Sequence, residues 1–339
     1  MKTNMRKLKS TSHPAHGIRG LSLVELMVAM AIGLVLLAAI GYIYMGSRQT
    51  FRTLDDFSRI QENYRYAMDQ IGVDVRMAGY SGCVNVSSID PANPANIPIQ
   101  PPAIPANPFS LAMARAVQGY AGAGTWPGPA PAPANYVAGT DVLRVTTALG
   151  QGTNLTGPMP GASGAMPING NPAGFVAGDR LMVSDCTTAE IFTAGAVGGT
   201  TSVTPTAALS KIYSTGAEVY PLVDTFYFVG ANPAGNPSLY RIQNGGAAQE
   251  LVENVENMVL RFGVDTNNDF AVDSPPVAAG GVADWRQVLS ARVNLVFRSN
   301  SSVATGTTTY TVEGTPTTPA DTRLRQVATA TYGIRNRLP

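Results

Sequence analysis

Three small groups of residues have the types and spacing to do chemistry. A single carboxylate, Glu25, stands at the edge of an uncharged run, and no Asp, Glu, Lys or Arg follows it until Arg48. A carboxylate at membrane depth is unfavourable by a few kcal/mol, so it usually has a partner or a task. The segment DTNNDFAVD (265–273) sets Asp265, Asn267, Asp269 and Asp273 at the alternating oxygen spacing of calcium loops. There Asn267 replaces an acid, Phe270 stands at the turn glycine, and Pro276 stands where a bidentate glutamate would complete the set. The same residues would also make an Asx-rich turn between two strands. The two cysteines, Cys83 and Cys186, form either a disulfide in an oxidising compartment, adding roughly 2–4 kcal/mol across so long a loop, or two buried thiols.

Composition removes other chemistries. Both histidines, His13 and His16, precede Gly20, so the chain beyond it has no imidazole for a triad, a general base or most zinc sites. The formal charge of +1 hides an asymmetry: residues 1–20 carry Lys2, Arg6, Lys7, Lys9 and Arg19 and no acid, which leaves 18 basic against 22 acidic residues after them. That balance lacks the basic footprint of a nucleic-acid binder. No Walker loop, dinucleotide fingerprint, nucleophile elbow or Cys/His cluster is present. Adjacent acids such as Asp55 and Asp56 read as a solvated helix face. No enzyme is expected.

The element that must position Glu25 is a helix. LMVAMAIGLVLLAAIGYIY (26–44) is long enough to cross roughly 30 Å of hydrocarbon, with a basic, cytoplasm-retained flank before it. A secretory signal would have a shorter apolar region ending at a small-residue cleavage site, and here the apolar run continues past Ala38 and Ala39. A plain signal anchor would fit the span but not the glutamate. Gly20-Leu21-Ser22-Leu23-Val24-Glu25, after basic residues and before an apolar helix, resembles the class III prepilin signal. The resemblance implies cleavage by a membrane aspartyl protease between Gly20 and Leu21, methylation of the new amino terminus, and Glu25 as the fifth mature residue. It also implies that Glu25 pairs with the amino terminus of a neighbouring subunit, offsetting desolvation and setting axial register. Major pilins usually carry phenylalanine where Leu21 stands and a proline where Tyr42 stands. Both departures point to a minor component, with flexible points at Gly33 and Gly41.

Beyond Arg48 the pattern becomes amphipathic. Phe51, Leu54, Phe57, Ile60, Tyr64, Ala67, Ile71, Val75 and Ala78 recur every three or four residues, the spacing of one helical face. Asp55, Arg59, Glu62, Arg65 and Asp69 take the other faces, Gly72 weakens the stripe, and Gly79 is a good stop. One helix over about 22–78 would measure roughly 85 Å. QENYRYAMDQIGVDVRMAGYSGC (61–83) resembles the corresponding segment of the PilW family of minor pilins, with Tyr64 where a glycine is expected.

Residues 89–135 are dense in proline around one apolar piece, FSLAMARAVQGYA, and read as an extended surface decoration, or as a linker between two domains. Strand patterns follow at 141–148, 180–185, 201–206, 218–230, 238–243, 256–265, 286–299, 307–314 and 323–336. In 286–299, Val288, Ala291, Val293, Leu295 and Phe297 face a core, while Arg292, Asn294 and Arg298 face away. The expected fold is α+β and type IV pilin-like: a long N-terminal helix packed on a mostly antiparallel head with large insertions.

The expected organisation is a leader at 1–20, a pilin helix at 21–79 that is transmembrane over about 26–45, and a periplasmic β-rich head at 80–339. The family resemblance implies an inner-membrane precursor that passes into a pilus, near its tip. It implies as partners the prepilin peptidase, the other minor pilins, the major pilin, the inner-membrane assembly platform and a candidate tip adhesin. No cofactor is required, and calcium would be structural. Two rivals stay open: a minor pseudopilin of a type II secretion system, and a signal-anchored periplasmic binding or adhesive protein that never enters a fibre.

Overall fold

The computed structural model describes residues 22–80, 82–83, 99–100 (backbone only), 115–122, 124–128, 132–148, 150–267, 269–302, 304 and 306–337. The Gly20–Leu21 junction and much of the proline-dense segment lie outside the described residues. By internal contacts the chain divides into two units, Met1–Leu54 and Asp55–Pro339.

One helix, α1 (Leu23–Met77), crosses that division. Long apolar side chains and the absence of proline sustain it through Gly33, Gly41 and Gly46. In the first unit it is bare: Leu23, Val35, Leu37, Ile43 and their neighbours are all exposed. In the second unit one face goes inside, and Ile60, Ala67, Met68, Ile71 and Val75 are buried. The heptad-like stripe had extended this face back through Phe51, Leu54 and Phe57, yet these are 70, 58 and 43% exposed. Periodicity identifies an apolar face but does not say where its cover begins.

Among the described residues the second unit holds sixteen strands. The first eight are β1 (Ile99–Gln100), β2 (Val117–Tyr120), β3 (Val142–Ala148), β4 (Thr153–Asn154), β5 (Met166–Pro167), β6 (Arg180–Ser184), β7 (Ala189–Gly198) and β8 (Ser202–Pro205). The rest are β9 (Glu218–Ala231), β10 (Pro237–Gln243), β11 (Gln249–Glu253), β12 (Val255–Val264), β13 (Val288–Ser302), β14 (Tyr310–Val312), β15 (Thr315–Thr317) and β16 (Arg323–Gly333). All pairings are antiparallel except β1 with β7. The architecture is the α+β, pilin-like one, but the strands sort into sheets of eleven, three and two rather than one.

Strand β9 is the spine of the large sheet. Its second half is flanked by β3 and β10, and its first half by β4 and β6. The three-stranded sheet runs β12-β13-β16. Its inner residues Leu260, Phe262, Ala291, Val293, Leu295 and Phe297 share one core with the buried face of α1 and with Leu143, Tyr227 and Leu239 of the large sheet. A second core, with Leu155, Met166, Phe175, Phe192 and Tyr213, forms within residues 155–219. The 117–120 stretch, read above as part of a surface decoration, is a strand with Val117 fully buried. Asn294 does point away from α1, but not into solvent. Its amide donates to Val259 O at 3.0 Å and Glu313 Oε1 at 2.9 Å, beneath the β14–β15 hairpin.

The C-terminal end of α1 is held from three directions. Gly79, at φ +72°, ends it in the left-handed conformation glycine tolerates best. The exposed carbonyls find donors: Thr147 Oγ1 reaches Met77 O at 2.9 Å and Asn336 Nδ2 reaches Ala78 O at 3.0 Å. Inside the helix, Tyr227 donates to Asp74 Oδ2 at 2.6 Å, and Tyr332 donates to Met68 O at 2.7 Å. Burial pushes the Asp74 carboxyl upward, against the Tyr227 hydrogen bond that lowers it. Gly72 is what lets the Tyr332 ring lie this close, because a Cβ there would stand 2.6 Å from ring carbon Cε1. Gly72→Ala should therefore destabilise the head by about 1–3 kcal/mol through overpacking, although alanine gains up to about 1 kcal/mol in helix propensity. Thermal melts of the detergent-solubilised full chain check the sign, and a stabilised variant would contradict the packing account.

Candidate functional site

The helix start is built by local chemistry. Ser22 precedes the first helical residue, and its Oγ accepts from the Glu25 backbone N–H at 3.2 Å. Ser22-x-x-Glu25 thus has the spacing of a capping box, a signal present in the sequence but not used in reading it. Glu25 sits in the first turn, exposed, where the helix dipole favours a negative charge. From there the helix presents an uninterrupted apolar surface whose richest 18-residue window has a mean hydropathy of 2.7 and no buried residue. It is long and apolar enough to cross a membrane. The expected cleavage pair, Gly20 and Leu21, lies outside the described residues.

The structure brings the acidic loop together. Ligand-type oxygens of Asp265, Asp269 and Asp273 lie within 4.8 Å of one another, with Asp265 buried and the other two exposed. Much of their capacity goes to the loop itself. Asp265 accepts from the backbone N–H groups of Asp269 and Phe270, and Asp273 Oδ2 accepts from Thr266 N at 2.6 Å and Thr266 Oγ1 at 2.7 Å. The Thr266 hydroxyl and N–H hold the Asp273 carboxyl below its usual range. Asn267 Nδ2 donates to Asp269 Oδ2 at 3.2 Å. Phe270, at the glycine position of the calcium pattern, takes the glycine-like φ of +64°.

Cys83 and Cys186 form a disulfide with Cα atoms 4.6 Å apart. It ties the chain just past α1 to the β6–β7 turn. Beside it, Asp185 accepts from Lys211 Nζ at 2.5 Å and from the N–H of Thr188 at 3.1 Å. Burial is the largest single influence on the Asp185 carboxyl and raises it, but the hydrogen bonds from Lys211, Thr187 and Thr188 together outweigh it and bring its pKa down to about 2. Sequence reasoning misses several buried acids, among them Asp56 and Asp74 on α1 and Glu190 on β7, which accepts from Ser210 Oγ at 2.6 Å and Tyr213 OH at 2.9 Å.

An apolar helix opened by a serine cap and an acid, running on into an antiparallel head, defines a type IV pilin-like protein. Residues 16–41 match the prokaryotic N-terminal methylation motif, which spans Gly20, Leu21 and Glu25 and most of the apolar run. Residues 226–336 match the family of the type IV pilus-assembly protein W, covering most of β9 through β16. No curated protein matches the chain. Together these two matches support reading the chain as a PilW-family pilin with a class III prepilin signal. It is a type IV pilus minor pilin, anchored in the membrane by its apolar helix with the head in the periplasm. Pilins and the pilus machinery are the partners of such a protein, and the family is a structural one. The family match falls on the last strands, whereas the sequence resemblance had been drawn from 61–83.

Proposed function

We propose that this minor pilin helps prime pilus assembly from a membrane-embedded complex with other minor pilins, and that it stays near the pilus tip. The observation that carries the reading is Glu25: one exposed carboxylate in the first turn of a bare apolar helix that continues into a folded head. Hydrolysis of the Gly20–Leu21 bond would free the Leu21 amine, and a separate methyl transfer would then methylate it. A neighbouring subunit's amine would neutralise Glu25 as the helix leaves lipid for the helical bundle, and the pair would fix the axial register of the incoming subunit. Energy for extraction would come from a separate ATPase. This chain would supply the helix, the register contact and a large head that packs against its partners.

Glu25→Ala should leave the thermal stability of the solubilised protein unchanged and reduce its recovery in sheared pili at least tenfold, read by immunoblot of pilus and membrane fractions. Undiminished recovery and normal piliation would remove Glu25 from the mechanism.

A structural calcium belongs to the same proposal. Asp265, Asn267, Asp269 and Asp273 would hold it between β12 and the Trp285–Gln287 turn, stiffening that connection. The convergence of three carboxylates supports this reading. Calcium at about 100 times its Kd would stabilise the folded head by about 2.7 kcal/mol. The melting temperature should rise with calcium, fall back with a chelator, and lose both responses in Asp269→Ala. A melt indifferent to calcium would leave the loop as a hydrogen-bonded turn alone.

A further inference from the structure

A cleft of about 270 Å³ opens between α1 and the β11–β12 corner, walled by Ile60, Leu251 and Phe297. Polar atoms line it that the fold leaves without partners. Asp56, only 8% exposed, has an Oδ2 with no hydrogen-bond donor among the described residues, and so does Asn254 Oδ1. Asn254 is held there at φ +62°, in the left-handed region that asparagine tolerates better than most non-glycine residues. An unmet buried carboxylate oxygen is the larger penalty.

The charges around the cleft do not cancel Asp56. Arg59 turns to Asp55 at 3.1 Å, and Arg298 Nη2 donates to Asn236 Oδ1 at 3.0 Å. Glu62 and Glu253 are exposed at the rim, and neither enters an ion pair among the described residues. The unmet atoms are two acceptors against one donor, Arg298 Nε. The cleft therefore wants a cation that brings several N–H donors and an apolar stem for the Ile60–Leu251–Phe297 wall. A lysine or arginine side chain has both. A divalent metal would want six or more oxygens, and among the described residues the carboxylates that converge are those of the 265–273 loop.

We propose that this cleft receives one lysine or arginine side chain from an adjoining pilin subunit, with Asp56 and Asn254 as its acceptors. The identity of the donor chain rests on the pilin reading above; the existence of the receptor does not. On this account Asp56 is unfavourable for the lone subunit and favourable in the assembly.

The test uses the full chain in cells, with a photo-crosslinking residue at the exposed rim position Glu253, alone and combined with Asp56→Asn. The expected result is a crosslink to another pilin, identified by mass spectrometry, whose yield falls at least fivefold in Asp56→Asn. The melting temperature of the purified Asp56→Asn chain should meanwhile hold or rise, because neutralising the carboxyl relieves its unmet burial. Unchanged crosslink yield, or a melting temperature that falls with it, would overturn the proposal and leave Asp56 as a hydrated or structural residue. Recovery of the wild-type chain in pili, scored in the same cells, separates the two failures. A chain absent from pili fails the functional reading, whereas a chain present in them with Asp56-independent crosslinks fails only the cleft.

Discussion

One helix has to satisfy two solvents, and the rest of the molecule follows from how it does so. Its first half keeps every large apolar side chain on the outside, which only hydrocarbon or other apolar helices can cover. Its last six turns lend one face to a protein core and must end inside it. That end leaves carbonyls that a buried helix cannot abandon. Thr147 and Asn336 supply the donors, Gly79 supplies the reversal, and the Cys83–Cys186 bond fixes the chain that emerges. Three of these devices depend on residues far along the sequence. The end of the helix and the end of the chain are therefore one structural unit.

That dependence explains why the family match lies where it does. The three strands β12, β13 and β16, together with β9 and β10, form the surface on which α1 rests. Tyr332 at the end of β16 reaches into the space Gly72 leaves open. The residues between β3 and the first half of β9 build a separate core around Phe192 and Tyr213, and they fall outside the matched region. An insertion with its own core is free to vary without disturbing the helix platform.

Much of the fold was readable from the residues, and the failures have physical causes. Val142–Ala148, Glu218–Ala231 and Val288–Ser302 are rich in β-branched and aromatic residues, so the pattern marked them as strands. Strand β7, AEIFTAGAVG, escaped because its second half is Ala and Gly, and β11, QELVE, because its first two residues are polar and exposed. Strand β2 was obscured by the prolines before it. At the site, Glu25 and the acidic loop were legible because they violate a local rule: a charge beside lipid, and four oxygens at alternating positions. Asp56 was read as part of a solvated helix face. A helical wheel reports direction, and the cover over Asp56 comes from β11, Asn254 and β13, some two hundred residues away in the chain.

Everything proposed for assembly requires that the mature chain begin at Leu21 with a methylated amine, since an intact leader would leave this chain no amine to offer a neighbour's carboxylate and would keep five basic residues at the end of its apolar helix. The mass of the amino-terminal peptide of the native protein, from cells with and without the prepilin peptidase, tests this directly. The account predicts methylated Leu21 when the peptidase is present and an intact leader through Gly20 when it is absent. A peptidase-independent terminus, or a cut near Ala39, would contradict it.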